Sequence, residues 1–181
     1  MTWSGSLLIR VAIRGTSDVG ADMGRVARKA AEGAIVSVKD VGVSLQEAAF
    51  AVAKATIHGT QEVGGNLTLT AKNAIRGVVQ GADEVGEDVI AAIRNTARGL
   101  VAGTAEVGGD ISQVALSAVD GAIEAGRKTG VQAAAATGAV EAARDVSEST
   151  AEAVRDVVST TIAGVDVIVH GPDAKDKEVK S

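Results

Sequence analysis

The side chains able to do chemistry are three acidic pairs and the bases that trail them. Asp18/Asp22, Glu84/Asp88 and Glu106/Asp110 each stand four residues apart, which puts both carboxylates of a pair on one face of a helix. Paired carboxylates are the right donors for a divalent cation, but Ca2+ wants roughly six to eight oxygens from a shaped loop. No metal ligand is assigned on that ground. Arg28, Lys72/Arg76 and Arg94/Arg98 follow about ten positions after the acids. Within one helix the acidic pairs repel slightly. Between helices offset by about ten residues, acids meet bases and set register. The pattern therefore predicts a staggered or antiparallel helical partner, or failing that a solvated charged face.

Nothing else carries a catalytic signature. His58 and His170 are far apart in sequence, each near an apparent helix end and without a neighbouring ligand, which suits a surface role better than metal binding or general-base work. Glycine-rich phosphate loops, zinc-protease motifs and nucleophile elbows are missing from the sequence. None of the many Ser and Thr residues sits in a nucleophile context. Trp3 reads as a cover for one end of a helical bundle. These observations predict a protein that is not an enzyme and needs no cofactor.

The elements positioning these residues are helices made of small side chains. Hydrophobic residues are 46% of the 181, yet aromatics are 1%, with 22 glycines and one proline. Large side chains dominate the energetics of an ordinary core, so a layered or extended assembly fits this composition better than a round globule. The net charge of −5, with both signs spread along the chain, argues against nucleic-acid binding, which needs clustered Lys and Arg. Cysteine is absent, which excludes disulfides and thiolate metal sites. Neither a cleavable signal nor a long uncharged apolar run is evident, so a transmembrane segment is not expected. The expected location is cytoplasmic, or peripheral to a membrane or granule.

A 22-residue repeat organises the chain. Seven copies begin at Gly15, Ser37, Gly59, Gly81, Gly103, Ala125 and Ser147, and alternate copies match best, giving a 44-residue super-period. Residues 1–14 form a lead-in whose end, LLIRVAIR, resembles the ends of later copies; residues 15–168 are the repeats; residues 169–181 read as a charged, disordered tail. The seventh copy is more polar at its start, as a capping repeat is.

Twenty-two residues are two units of eleven, three helical turns each at about 3.67 residues per turn, a period with a right-handed supercoil tendency. The expected fold is all-α. On the corresponding wheel an apolar arc carries Val19, Val41, Val63, Val85 and Val107, with Leu45, Leu67 and Ile111 beside them, a stripe wide enough for two neighbours or an apolar surface. Two chain paths satisfy the pattern. Uninterrupted phase favours long hendecad helices, which unbroken would span about 230 Å at 1.5 Å per residue. Local signals favour helical hairpins stacked as a solenoid. For these, Gly59, Gly81 and Gly103 serve as helix C′ residues, and Thr16, Thr60 and Thr104, or Asp22, Ser44, Asn66, Asp88 and Asp110, serve as N-caps. Ser44 with Glu47 matches a capping box.

Small residues four apart recur at the repeat junctions: Gly33/Ser37, Ala55/Gly59, Gly77/Gly81, Gly99/Gly103 and Gly121/Ala125. That spacing lets helix backbones approach closely. Each interior glycine costs about 1 kcal/mol of helix propensity against Ala, so close packing is expected to offset the loss.

The 11/22-residue amphipathic period resembles that of exchangeable lipid-surface proteins, the synucleins, perilipins and apolipoproteins. EVGGDISQVALSAVDGAIEAG (106–126) and GVQAAAATGAV (130–140) carry the likeness. The resemblance implies binding to a membrane, droplet or storage granule. The residues themselves imply a structural scaffold whose Ala/Gly/Val faces self-associate as a homo-oligomer or dock on an apolar partner. A monomeric hairpin solenoid serving as an interaction module is the third expectation.

Overall fold

A computed structural model describes residues 21–41, 44–86, 88–125 and 130–161. The lead-in, Asp18, Val19, His170 and the charged tail lie outside the described residues. Seven helices are described: α1 (Ala21–Val41), α2 (Leu45–Glu62), α3 (Leu67–Val85), α4 (Val89–Glu106), α5 (Ile111–Ala125), α6 (Val131–Val146) and α7 (Glu148–Thr161). There is no strand among the described residues. The fold is all-α.

Each described helix is shorter than one 22-residue period, and most of them span a junction between copies, so the long continuous helix does not occur among the described residues. The reason is a turn that recurs in constant phase. Gly64, Gly86 and Gly108 have φ of 68°, 70° and 70°, a left-handed conformation that costs glycine little and other residues more. After Gly64, the Gly65 N–H donates back to the Thr60 carbonyl at 2.8 Å, and after Gly108 the Gly109 N–H donates to that of Thr104 at 2.9 Å. These bonds satisfy carbonyls that the helix end leaves open.

The next helix starts at once. The Asn66 side chain accepts from the Leu69 N–H at 3.0 Å, Asp88 from those of Ile90 and Ala91 at 3.0 and 3.2 Å, and Asp110 from that of Gln113 at 3.0 Å. Ser44 accepts from the Glu47 N–H at 3.3 Å and donates its hydroxyl to the Glu47 carboxylate at 2.9 Å. An αL glycine followed two residues later by an Asx cap keeps the spacing at 22 without any rod.

Residues assigned to helix ends by the alternative reading sit elsewhere. Gly59, Gly81 and Gly103 lie within α2, α3 and α4, and all three are buried. Thr60 and Thr104 are fully buried in the last turns of α2 and α4, and their hydroxyls donate to the Thr56 and Leu100 carbonyls one turn back, at 2.8 and 2.7 Å. Buried hydroxyls need such partners; here the helix backbone supplies them.

The helices form two layers. α1, α3, α5 and α7 follow one another in the first, α2, α4 and α6 in the second, and the most extensive packing joins α1 to α3 and α2 to α4. Chain neighbours cross from one layer to the other and reverse direction. Second neighbours lie side by side and run the same way, because Arg28 and Glu32 of α1 face Gly77 and Gly81 of α3 in ascending order. One continuous apolar cluster runs from Ala31 to Val158. Its largest fully buried side chains are Ile35, Ile57, Ile75, Ile93 and Leu100. α7 closes the described stack: Ala151, Val154 and Val158 are fully buried, whereas Glu148, Ser149, Glu152, Asp156, Ser159 and Thr160 are exposed. A polar outer face is what a terminal helix of a stacked array requires.

Candidate interaction surfaces

The contact between second neighbours is a glycine seam. A Cβ on Gly77 would fall against the Arg28 carbonyl, and one on Gly99 against that of Phe50. On Gly121 it would lie 2.5 Å from the Lys72 carbonyl, and on Gly81 2.9 Å from that of Glu32. On Gly103 it would lie 3.2 Å from the Lys54 carbonyl and equally far from Ile57 Cβ. Side-chain-free ridges let the backbones meet directly. The ledger thus sets lost helix propensity, about 1 kcal/mol per glycine, against backbone contact that no bulkier residue allows. α6 seats the same way through Gly138, whose Cβ would strike the Arg94 carbonyl. Sequence reasoning missed Gly138 because every position around it, from Ala133 to Val140, is small or nearly so.

Gly33 is exposed, and a Cβ there would meet nothing within 4 Å. It occupies in α1 the position that Gly77 holds in α3, but α1 is the first helix described in its layer. Gly59 is buried within α2, likewise the first described in its own.

The expected apolar arc is only partly the core. Leu45 is buried, while Val63, Leu67, Val107 and Ile111 are half-buried and pack against its edge. Val63 and Val107 are the C-cap residues of α2 and α4, and Leu67 and Ile111 the first residues of α3 and α5. The wheel assumed an unbroken helix, and the turns interrupt it at these very positions. Mid-helix Ile35, Ile57, Ile75 and Ile93 hold the centre instead. Val19 and the side chains of Val41 and Val85 lie outside what is described.

A polar clamp lies over each of these seams, and in all but one it is an ion pair. Lys54 Nζ and His58 Nε2 of α2 hold the two oxygens of Glu106 on α4, at 2.6 and 2.8 Å. Lys72 and Arg76 of α3 hold Glu124 on α5 at 2.5 and 3.4 Å. Arg94 of α4 chelates Glu141 on α6 with both its Nε and a terminal nitrogen, and Arg98 stands 3.9 Å from Glu141 and from Asp145. Between α1 and α3 a neutral partner substitutes, Arg28 donating to the Gln80 amide oxygen at 2.6 Å. In the first three clamps two bases one helical turn apart grip one carboxylate on the parallel second neighbour.

Acids do meet bases, but inside one chain, between parallel second neighbours rather than with a staggered or antiparallel partner, and mostly with other acids. Asp88 and Asp110 are spent on helix caps; Glu106 alone of the paired carboxylates at these two junctions joins a clamp. Glu124 and Glu141 were not singled out, because their bases are 48 and 47 residues away in sequence. The Lys54 ammonium, then His58, hold the Glu106 carboxyl below the ordinary glutamate value, against a desolvation effect that raises it. Lys72, then Arg76, do the same for Glu124. Hydrogen bonding to Glu141 raises Arg94 further, so this guanidinium stays charged.

The exposed large apolar side chains among the described residues are Ile90, Ile123 and Val146. Three or more His, Cys, Asp or Glu placed to hold a metal ion do not converge anywhere among the described residues. No described helix is long and apolar enough to cross a membrane. No known protein family matches the chain, and no curated protein matches it either.

Proposed function

We propose that this protein is a non-catalytic scaffold: a stack of helical hairpins whose Ala/Gly/Val faces are covered by one another within a single chain. The observation that carries the reading is the succession of glycine seams, each under a clamp, from α1–α3 to α4–α6. The groups with chemical potential are used structurally. Thr hydroxyls bond to helix carbonyls, Asp88 and Asp110 cap helices, and the clamp carboxylates hold cations. A scaffold of this kind presents its layer surfaces and the ends of the stack to partners.

Association of several chains, or adsorption on lipid, would need these same apolar faces and so would have to open the seams. Solution scattering with light-scattering mass measurement decides between the readings. The scaffold predicts a compact particle with the mass of one chain, and helicity by circular dichroism that anionic vesicles leave unchanged. An elongated multi-chain particle would replace it with self-assembly. A chain helical only on vesicles would replace it with lipid-surface binding.

A further inference from the structure

Charge is graded along the first layer. α1 carries four bases against three acids, α3 two against two, α5 two acids and no base, and α7 three acids against one base. Unbalanced groups sit on the outer faces of the two flanking helices. Arg25 and Lys29 of α1 stand one helical turn apart, both exposed, across the helix from buried Ala27, Ala31 and Ile35. The Lys29 side chain is 65% exposed, and its ammonium meets the Glu32 carboxylate of the same helix at 2.9 Å. Glu148, Glu152 and Asp156 of α7 repeat the four-residue step and are exposed. Arg144 of α6 holds Glu148 at 3.4 Å, but Glu152 and Asp156 hold no cation among the described residues.

We propose that copies of this chain associate head to tail, the acidic outer face of α7 on one copy lying against the basic outer face of α1 on the next. The chemistry is that of the clamps inside the chain, where two bases a turn apart grip a carboxylate on a neighbouring helix. Small residues admit the approach: Gly33 on α1 and Ser149 and Ala153 on α7 are exposed beside the charges. Neither face carries an exposed large apolar side chain, so charge is what the two faces offer each other. The sign of the ends selects the partner. With a net charge of −5 and carboxylates in excess toward α5 and α7, like ends repel, and of the layer's two described ends only α7 against α1 brings opposite charges together. Such a contact is heterologous, so the number of copies grows with concentration instead of stopping at two. Exposed pairs are individually weak, which makes the contact reversible and salt-sensitive. The proposal rests on the scaffold reading, since it joins folded stacks by charged ends and leaves every apolar seam closed.

Light-scattering mass of the full chain across a range of ionic strength tests the contact. In concentrated protein the average mass is expected to be at least about twofold higher at about 0.01 M salt than at about 1 M, because the Debye length shrinks from about 30 to about 3 Å. Dilution or high salt should return a helical particle of one chain. Glu152→Lys/Asp156→Lys and Arg25→Glu/Lys29→Glu should each stay monomeric at low salt with native helicity by circular dichroism. An equimolar mixture of the two variants should recover the association, because opposite charges then meet again at the ends. A one-chain mass at every ionic strength overturns the proposal and leaves the scaffold reading standing. So does association that survives either pair of substitutions, or that the mixture fails to restore while both variants remain helical. Multi-chain particles that persist in high salt would instead mean contact through the apolar faces, and would remove both.

Discussion

At the scale of single residues, two glycines separated by 66 positions in sequence make opposite demands. A methyl on Gly99 would be driven into the Phe50 carbonyl and against Ala53 Cβ, whereas a methyl on Gly33 would meet open space. Overpacking costs roughly 1–3 kcal/mol where neighbours cannot yield, and a backbone carbonyl yields least. Gly99→Ala is therefore expected to lower unfolding stability by about 2–3 kcal/mol. Gly33→Ala gains helix propensity and is expected to raise it by about 0.5–1 kcal/mol. Urea denaturation of the two variants checks both signs. Equal changes would mean that the seam is not set by backbone contact. The sequence singled out both glycines through one spacing rule and could not separate them, because what lies opposite each is a helix two elements away.

At the scale of the element, helices are placed by turns and held by clamps. The turn glycines Gly64, Gly86, Gly108 and Gly130 stand at the sixth position of their copies. The caps Ser44, Asn66, Asp88 and Asp110 were legible because capping is local, between residues two or three apart. The clamp acids were not, except Glu106, since their partners are distant in sequence. Acid tests the clamps. Glu106 and Glu124 are held below the ordinary glutamate value in the folded chain by Lys54 and Lys72 respectively. Their contribution is therefore present above the unfolded value and is lost as pH falls through the lowered folded values. Both carboxylates are almost half exposed, so solvent screens the effect and keeps it small. Thermal stability of the native chain should thus decline as the pH drops below 4.5. In Glu106→Gln/Glu124→Gln the decline should be shallower, with part of the loss already present at neutral pH. Parallel curves for the two proteins would show that the clamps contribute nothing.

At the scale of the whole molecule, the stack behaves as a sum of hairpins, each touching only its neighbours. Removing residues 65–108 deletes α3 and α4 and joins Gly64 to Gly109, recreating the same turn sequence. Gly121 would then face Arg28 in place of Lys72, and Glu124 would take the place of Gln80 opposite Arg28. The shortened chain is expected to fold as a helical monomer with a urea m-value reduced in proportion to the buried surface it loses. Loss of cooperative unfolding in that protein would mean that the stack is not modular.

The sequence by itself determined helices, their 22-residue spacing, their caps, and the small-residue ridges on which they meet. All of these depend on residues within one or two turns of each other. It did not determine whether phase was kept by continuous helix or by a constant turn, since a repeat of fixed length satisfies both. Tertiary structure decided that, and with it the direction of every seam. Gly77 is close-packed and Gly33 is exposed, Glu124 rather than Asp110 meets the bases, and Val63 stands at a helix end rather than in the core centre. The physical reason is the same in each case: these outcomes depend on backbone-to-backbone approach between helices more than forty residues apart, a distance across which no local pattern carries information.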